Sequence, residues 1–565
     1  MGLLEKAQQR RQMLVEEKEK PTSEEQKEPA DHSSGLLVKA RQRKHAATTA
    51  TTTEGEKQAY ERVKQQNASQ EVADERTGFG WKGLGSRKIV FDHECNEYRY
   101  LVTEPTLSEE EEETKKELTH LFKMLADIDV TDAEKEEKKK YLEDTLEQII
   151  IDNDVYFEEE AKDKIFYHIF RDFIGYGRID ILMEDEGIED VSCDGYLVPI
   201  FIHHKKYEAI TTNVQFKDRE EVDSFVVRLS QICGKQISIY SPIVDGKLPD
   251  GSRLQTTLSR TVTRDSTFTI RRFRENPLTP IDLIRFKSFS IDMAAYFWIA
   301  IEKGASILFC GGTASGKTTA LNALSLFIPP SHKIISIEDT REVSLPHQNW
   351  IAGTTRQGFS SSEETKTGKD IDMFDLIRAA LRQRPRVVIV GEVRGKEAYS
   401  LFQAMATGHT SYATVHASTI HTLIQRLENP PISLPRALLT SLDIIVFQNA
   451  VDIGGKMVRR MTSITEVIKL DPDTNQLIFM EPFSWVSKTD DRFESSGASK
   501  ILNTIRLQND WSEEQLNKEL ERRKLILKWM DKNDLREYQD FGKIVADYQK
   551  YPEELLEKAR RELKK

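Results

Sequence analysis

The chain has 565 residues, 93 of them acidic and 81 basic, which gives a formal net charge of −12. At about 150 residues per domain, this length predicts three to four domains. The excess of acidic residues argues against electrostatic binding of nucleic acid or anionic lipid by the whole chain, because such binding needs an excess of Lys and Arg. No apolar run approaches the roughly 20 residues of a membrane-spanning helix, so we expect a cytoplasmic protein.

The cysteines are too few and too scattered for a disulfide framework, and none belongs to a CxxC pair. Reduced thiols are the expectation for all four, which are Cys95, Cys193, Cys233 and Cys310. Because no zinc-ligand spacing is present, zinc is not expected as a cofactor.

The amino-terminal part of the chain changes character in steps. Residues 1–78 are rich in Lys, Glu, Gln, Ala and Thr, a composition typical of a disordered or transiently helical tail. Strand-forming residues then predict an ordered leading segment, residues 79–117. Helical periodicity followed by short strands predicts an α+β domain over residues 118–276, and two prolines mark residues 277–285 as a linker.

Short apolar strands alternate with helix-length segments over residues 286–493, the pattern of a mostly parallel sheet flanked by helices. Residues 494–565 predict a helical extension that contains a capping box made by Ser512 and Gln515. An apolar stripe behind the box is expected to pack on the chain's own core. Its members are Leu516, Leu520, Leu527 and Met530.

The stretch GGTASGKT at residues 311–318 matches GxxxxGK[ST] and lies between a predicted strand and a predicted helix, as a phosphate-binding loop (P-loop) requires. Its glycines let backbone N–H groups turn toward phosphate oxygens, and the following helix N-terminus adds partial positive charge. We expect Lys317 to reach the β- and γ-phosphates and Thr318 to bind Mg²⁺. The predicted ATP-binding residues are Gly311, Gly312, Thr313, Ala314, Ser315, Gly316, Lys317, Thr318 and Thr319.

Carboxylates follow two further predicted strands. Glu338 and Asp339 come after KIISI, and either could polarise an attacking water, with capping of the next turn as the structural alternative. Glu392 comes after VVIVG, where P-loop ATPases place the carboxylate that holds Mg²⁺. A glutamate stands there instead of the usual aspartate, and its longer side chain can still reach Mg²⁺-bound water.

Histidines and arginines supply the remaining candidates. His409 and His416 flank the predicted strand of TGHTSYATVHAST, and we expect them to sense or contact the γ-phosphate. Arg253, Arg271 and Arg272 lie in the preceding domain, where a guanidinium could grip phosphate or form a surface ion pair. Because Arg271 and Arg272 are neighbours on a predicted strand, they face opposite sides and cannot both point at one phosphate.

Four strings in their usual order resemble the Walker A, Asp box, Walker B and His box of the type II/type IV secretion ATPase superfamily. They are LFCGGTASGKTTALNAL, IISIEDTREVSLPHQNW, LRQRPRVVIVGEVRGKEA and ATGHTSYATVHAST. YSPIVDGKLPDGSRLQ and FTIRRFRENPLTPIDLI are similar to the N-terminal domain and linker of the archaeal GspE-like branch, the assembly motors of archaeal type IV pili and the archaellum. The tetracysteine zinc module of the bacterial assembly ATPases is missing from the sequence, which favours the archaeal branch.

The resemblance implies an α/β fold with a RecA-like P-loop ATPase domain, and a homo-hexamer in which ATP lies between that domain and the N-terminal domain. The resemblance also implies a partner, a polytopic inner-membrane platform protein. Through this partner the chain would associate peripherally with the cytoplasmic membrane and act indirectly on pilin-like filament machinery. The residues that it places at ATP are Glu338 as general base, Glu392 as Walker B acid, His409 and His416 as the His-box pair, and Arg253 and Arg271 as phosphate-contacting arginines.

Three functions compete on the sequence alone. The first is an ATP-hydrolysing motor for a surface filament or secretion system. The second is a RecA-like nucleic-acid translocase for DNA uptake or conjugation, against which the net acidity and the lack of an aromatic and basic strand platform argue; no nucleic acid is expected as partner. The third is a regulatory nucleotide sensor, which would require a broken catalytic set, whereas Lys317, Thr318, Glu338 and Glu392 are all present.

Overall fold

The computed structural model describes residues 70–125, 135–153, 155, 157–273, 276–356 and 371–564. The predicted tail therefore lies outside the described residues as far as residue 69. The chain divides into two units, Met1–Arg272 and Phe273–Lys565, and each has its own sheet. Among the described ranges, no helix is both long and apolar enough to cross a membrane.

The first unit is built on a sheet whose strands follow the order β1-β2-β3-β6-β5-β4-β9-β8-β7, antiparallel except between β3 and β6. These strands are β1 (Gln70–Phe79), β2 (Gly85–Asp92), β3 (Glu97–Thr103), β4 (Ile188–Cys193), β5 (Pro199–His204), β6 (Glu208–Gln215), β7 (Ile243–Lys247), β8 (Arg253–Thr257) and β9 (Thr267–Arg271). Its helices are α1 (Glu109–Leu125), α2 (Lys135–Asp152), α3 (Glu159–Phe173), α4 (Asp180–Glu184) and α5 (Arg219–Ile232).

Two hydrophobic clusters form the core of this unit. One packs the apolar face of α5, including Val222 and Val226, against alternate residues of the sheet such as Val191 and Ile270. The other joins α1, α2 and α3 through their inward-facing leucines, isoleucines and phenylalanines. Four glutamates in the first turn of α1 lie where the helix dipole favours negative charge.

Two predicted boundaries in this unit are wrong. The predicted tail, residues 1–78, overlaps β1, which pairs with β2 from Gln70↔Asp92 to Phe79↔Gly85. Most β1 side chains are exposed, so backbone hydrogen bonds rather than apolar burial hold this edge strand, and its polar composition conceals it. The leading segment, residues 79–117, is not separate from residues 118–276, because β2 and β3 extend the same sheet.

The predicted linker, residues 277–285, contains a short helix, α6 (Pro280–Arg285). Thr279 caps this helix, and the side chain of Asp282 accepts a hydrogen bond from the Thr279 backbone N–H at 2.9 Å. Proline is favoured at the first helical position, so Pro280 starts the helix instead of breaking the chain. Ile281 and Leu283 are buried in the core of the second unit, and the segment therefore belongs to that unit.

The second unit has a sheet of order β12-β11-β13-β14-β10-β15-β16-β17-β18, in which the first six strands are parallel and the last three are added antiparallel. The strands are β10 (Ile307–Cys310), β11 (Ile334–Glu338), β12 (Trp350–Thr354), β13 (Val387–Val390), β14 (Thr410–Val415), β15 (Ile444–Ile453), β16 (Lys456–Leu470), β17 (Leu477–Trp485) and β18 (Phe493–Ser495). The predicted mostly parallel sheet is confirmed.

Helices cover both faces of the parallel part, which explains why its strands are apolar on both sides. The helices before the carboxyl-terminal region are α7 (Ile291–Glu302), α8 (Lys317–Ser325), α9 (Met373–Leu381), α10 (Glu397–Ala406) and α11 (Ile420–Glu428). Those of that region are α12 (Lys500–Gln508), α13 (Glu513–Lys532), α14 (Tyr538–Lys550) and α15 (Pro552–Leu563). Short 3₁₀ helices lie at Trp81–Gly83, Gly177–Ile179 and Arg436–Ser441.

The carboxyl-terminal helices pack on the chain's own core, as the leucine stripe predicts. Ser512 and Gln515 form the predicted capping box at the start of α13. Arg523 of α13 is only 3% exposed and donates to Glu302 of α7 at 2.8 Å. Its guanidinium carbon also lies 5.0 Å from the ring centre of Trp298 and 5.2 Å from that of Tyr548.

We expect Arg523→Met to lower the free energy of unfolding by about 3 kcal/mol, because the substitution leaves the carboxylate of Glu302 without its buried partner. The matched control is Lys528→Met on the exposed side of the same helix, which should change stability by about 0.5 kcal/mol or less. Urea unfolding followed by circular dichroism measures both. Equal effects in the two variants would show that the guanidinium does not fasten α13 to α7.

Candidate active site

The candidate site lies at one edge of the second sheet, where four parallel strands end together. The register pairs Cys310 of β10 with Val415 of β14, and Val390 of β13 with Ala413 of β14 and Ile337 of β11. Ligands of open α/β sheets bind outside the carboxyl ends of the strands. The predicted P-loop, Glu338, Glu392 and His416 all follow these strand ends, so the topology brings them to the same edge.

The P-loop connects β10 to α8, as the motif requires. A Cβ on Gly311 would lie 2.0 Å from the backbone oxygen of Gln448 in β15, so only glycine fits there. Gly316 has a φ of +87° at the N-cap of α8, a conformation that favours glycine. Ser315 closes the turn by donating to the Gly312 carbonyl at 2.9 Å. Thr318 and Thr319 are half-buried in the first turn of α8, where their N–H groups face outward along the helix axis.

Lys317 begins α8, and the residue is 7% exposed. Its Nζ donates to the Gly312 carbonyl at 2.6 Å and lies 3.4 Å from His416 Nδ1. Burial lowers the pKa of Lys317, and the negative charge of Glu392 partly offsets that effect. A buried ammonium paired with one carbonyl and one imidazole nitrogen has an electrostatic deficit that a phosphate would fill.

Glu392 lies between the guanidinium of Arg394 and the imidazole of His416. Its Oε2 accepts from Arg394 Nη2 at 2.5 Å, and its Oε1 lies 3.2 Å from His416 Nε2. Burial alone would raise the pKa of Glu392, but the hydrogen bond and charge of Arg394, with the fields of His416 and Lys317, outweigh it and hold the pKa below its usual value. Glu392 is therefore ionised at neutral pH, the form that can bind Mg²⁺ or a water on it.

His416 joins the P-loop lysine to Glu392. Burial lowers the pKa of His416, and the charge of Lys317 lowers it further, so the imidazole is neutral at pH 7. Since an ammonium can only donate, Nδ1 must be the unprotonated nitrogen, and Nε2 carries the proton that faces Glu392. The imidazole thus transmits the position of Lys317 to Glu392.

His409 does not join this site within the chain. It precedes the first residue of β14, whereas His416 follows the last one. At about 3.3 Å per residue, the two imidazoles lie roughly 20 Å apart at opposite edges of the sheet. His409 Nδ1 is instead 3.3 Å from the Thr407 hydroxyl. Within the chain the structure therefore brings only His416 to this edge, because a six-residue strand cannot bring both of its ends to one edge. A role for His409 at the phosphate stays a prediction.

Glu338 is the last residue of β11 and is 2% exposed. Its Oε1 accepts from the backbone N–H groups of Glu342 at 2.9 Å and Val343 at 3.0 Å. Burial raises the pKa of Glu338 to about 7, although those two hydrogen bonds act in the opposite direction. Asp339 accepts from the Thr355 hydroxyl at 3.1 Å on the exposed side. Of the two carboxylates, Glu338 has the environment of a base.

The residues present fit ATP and Mg²⁺. Glu338 Oε2 and Glu392 Oε1 are both buried and accept no hydrogen bond among the described residues, although His416 Nε2 lies 3.2 Å from Glu392 Oε1. These two acceptor atoms at this edge can receive a water or a hydrated cation. No group of three or more metal-ligating side chains occurs in the described part of the chain. Mg²⁺ keeps several waters and is usually held by one or two protein oxygens and the substrate phosphates. Here those protein oxygens would be Thr318 and Glu392.

The three candidate arginines belong to the first unit and have different surroundings. Arg253 and Arg271 are register partners on β8 and β9, and both are exposed. Arg253 Nη2 lies 3.8 Å from Asp245 Oδ1, a weak surface pair. Arg272 turns the other way and donates to the Asp185 carbonyl, and burial lowers its pKa. The alternation therefore leaves Arg253 and Arg271 exposed, while the Arg272 side chain has a structural contact.

Sequence reasoning missed three residues at the site. Arg394 follows Glu392 by two positions, and the GEVRG string could have revealed it as a partner of that carboxylate. Gln448 supports Gly311, and Arg459 Nε lies 3.5 Å from the Ala314 carbonyl. Nothing in the local sequence predicts these last two contacts, because they depend on how β15 and β16 pair beside the P-loop.

Comparisons with known proteins identify relatives of this chain. The family model described as "Type II/IV secretion system protein" matches residues 198–518. An uncharacterised protein of Methanocaldococcus jannaschii is 36% identical over 478 residues, covering 80% of this chain and 85% of its own length. The type IV secretion system protein PtlH of Bordetella pertussis is 38% identical over 164 residues, which are 26% of this chain and 46% of PtlH.

Two solved structures resemble parts of the chain. The VirB11 ATPase of the Brucella suis type IV secretion system, in complex with sulphate, covers 53% of this chain and 98% of its own at 24% identity, with a TM-score of 0.26. The pilus retraction motor PilT with bound ADP covers 60% of this chain and 88% of its own at 20% identity, with a TM-score of 0.36. The chain belongs to the type II/IV secretion system protein family, because the family model matches more than half of this chain and the M. jannaschii protein is similar to most of it.

Proposed function

We propose that this protein is a Mg²⁺-dependent ATPase that powers assembly of a type IV pilus-like filament, or secretion, through a membrane platform protein. The observation that carries the proposal is the buried, unpartnered Oε2 of Glu338 at the sheet edge where Lys317 and Glu392 also lie. A carboxylate with a pKa of about 7 is matched to accepting a proton at neutral pH.

The side chains divide the chemistry among them. Lys317 and the P-loop N–H groups bind phosphate, and Thr318 with Glu392 would hold Mg²⁺, which neutralises charge that develops on the phosphate oxygens. Glu338 Oε2 accepts the proton of the attacking water, since its other oxygen is fixed by two backbone N–H groups. His416 keeps Lys317 and Glu392 in register with each other.

The working assembly is proposed as a homo-hexamer on the cytoplasmic face of a membrane, attached through a platform protein. This proposal rests on membership of the family, and on the similarity of YSPIVDGKLPDGSRLQ and FTIRRFRENPLTPIDLI to its archaeal motors. ATPase activity measured with and without DNA tests it against the translocase alternative. Phosphate release that DNA does not stimulate supports the motor, and release that requires DNA contradicts it.

We expect Lys317→Ala to lower the rate of phosphate release by roughly two orders of magnitude or more, because it removes the cation that faces the transferred phosphate. The loop backbone is unchanged, so the thermal midpoint without nucleotide should move little. Lys528→Ala, which alters an exposed lysine of α13, is the control and should hydrolyse at the normal rate. Normal turnover in Lys317→Ala would refute the assignment of this site.

The pH profile of kcat/KM should rise through an apparent pKa of about 7 and then level off, because only the ionised form of Glu338 can accept a proton. Glu338→Gln should lower the rate by roughly 100-fold or more and remove this acidic limb. Asp339→Asn is the matched control at the next position and should keep the limb. A limb that persists in Glu338→Gln would assign the ionisation to another group.

Arg271→Ala should lower kcat far more than it weakens ATP binding if this exposed guanidinium meets charge that develops on phosphate during the reaction. Arg272→Ala should instead lower the urea midpoint, because it removes the hydrogen bond to the Asp185 carbonyl. Steady-state kinetics and urea unfolding of both variants separate these roles. Loss of kcat in Arg272→Ala at unchanged stability, with normal Arg271→Ala, would reverse the assignment.

A further inference from the structure

Arg459 is an exposed arginine beside the P-loop that neither the motifs nor the proposed chemistry uses. It lies on β16, and its Nε is 3.5 Å from the Ala314 carbonyl at the outer turn of the loop. A Cβ placed on Gly316 would lie 3.6 Å from Arg459 Cγ, so the aliphatic stem runs along the loop. The pairs found among the described residues give the guanidinium no carboxylate partner.

The backbone that carries Arg459 is held firmly. Its neighbour Arg460 is buried and makes a two-pronged contact with Asp491, at 2.7 Å and 2.9 Å. Arg460 Nη1 also donates to the Phe286 carbonyl at 2.9 Å. Arg459 itself pairs with Ala450 of β15, the strand next to β10. An arginine mounted on a fixed strand loses less freedom when it binds a ligand than one on a loop.

The strand order gives the P-loop two unlike sides. Glu338, Glu392 and His416 all follow strands on the β14 side of β10. Lys317 Nζ faces this side, since it contacts His416. Strands β15 and β16, and with them Arg459, lie on the other side of β10. A nucleotide is an extended molecule, so when its γ-phosphate lies at Lys317 and the carboxylates, its nucleoside end points away from them.

We infer that Arg459 is a further nucleotide-binding residue, which contacts the α-phosphate and nucleoside half of the bound nucleotide. The inference rests on the proposed function, because it takes the γ-phosphate to lie at Lys317. A guanidinium suits this position, since its planar face can stack on a base and its N–H edge can donate to phosphate or ribose oxygens. Because this half of the nucleotide does not change during hydrolysis, Arg459 contributes equally to ground state and transition state.

The test is isothermal titration of the full-length protein with ADP and, separately, with inorganic pyrophosphate, which lacks the α-phosphate and nucleoside half. Arg459→Ala should weaken ADP binding roughly tenfold and leave pyrophosphate binding unchanged. KM for ATP should rise by a similar factor while kcat stays within about twofold, the signature of uniform binding. Arg459→Lys should recover part of the loss, because it restores the charge without the planar fork.

Lys456→Ala is the control. This exposed lysine at the start of β16 has the same charge as Arg459, and among the described residues no contact between it and the P-loop is found. The inference is overturned if Arg459→Ala binds ADP normally. It is also overturned if pyrophosphate and ADP weaken equally and kcat falls, because Arg459 would then only support the loop. Failure of the proposed function looks different: the unsubstituted protein would bind neither ligand, or Lys317→Ala would bind both normally.

Discussion

The site depends on one constraint, the parallel pairing of short strands that are buried on both faces. β10 and β13 have four residues each, all of them apolar and buried, so their backbones can hydrogen-bond only to neighbouring strands. Parallel register then places the first residue after each strand at the same edge. Charged residues are absent from β10 and β13, and Glu392 follows the end of β13 at this edge. The hydrophobic runs that build the core therefore also decide where the chemistry can occur.

Glu338 shows what this arrangement costs. A carboxyl whose pKa is raised by burial to about 7 is destabilising when ionised, by about 3 kcal/mol relative to water. Below the pKa that Glu338 has in the unfolded chain, the carboxyl is protonated in both states and its burial does not reduce the free energy of unfolding. The free energy of unfolding then falls as the pH rises through about 7, because the buried carboxyl must ionise. Gly391 contributes to this burial, since a Cβ there would lie 3.1 Å from Glu338 Cγ. Such a cost at a sheet edge is typical of a functional site.

Much of the site can be predicted because its signals are local. The P-loop, Glu338 and Glu392 are each defined by a strand and the few residues after it, and the structure brings these elements together. The structure separates His409 from His416, because proximity in sequence neglects the length of β14 between the two histidines. Residues 70–78 and Pro280 are misjudged for a related reason. Their polar or helix-breaking character is real, but an edge strand needs only backbone partners and a helix tolerates proline at its start.

The glycines of the P-loop are usually explained by the phosphate that they bind, but here the neighbouring strand also requires one of them. Gly311 faces the backbone oxygen of Gln448, so the loop could not lie against β15 with any side chain at that position. Gln448 in turn is buried and donates to the Ser288 hydroxyl at 2.9 Å, which ties β15 to the segment before α7. The loop thus takes its shape from its own glycines and from a strand more than 130 residues later in the chain. The motif alone therefore predicts where phosphate binds, while the neighbouring parallel strand β15 specifies what stands beside the loop.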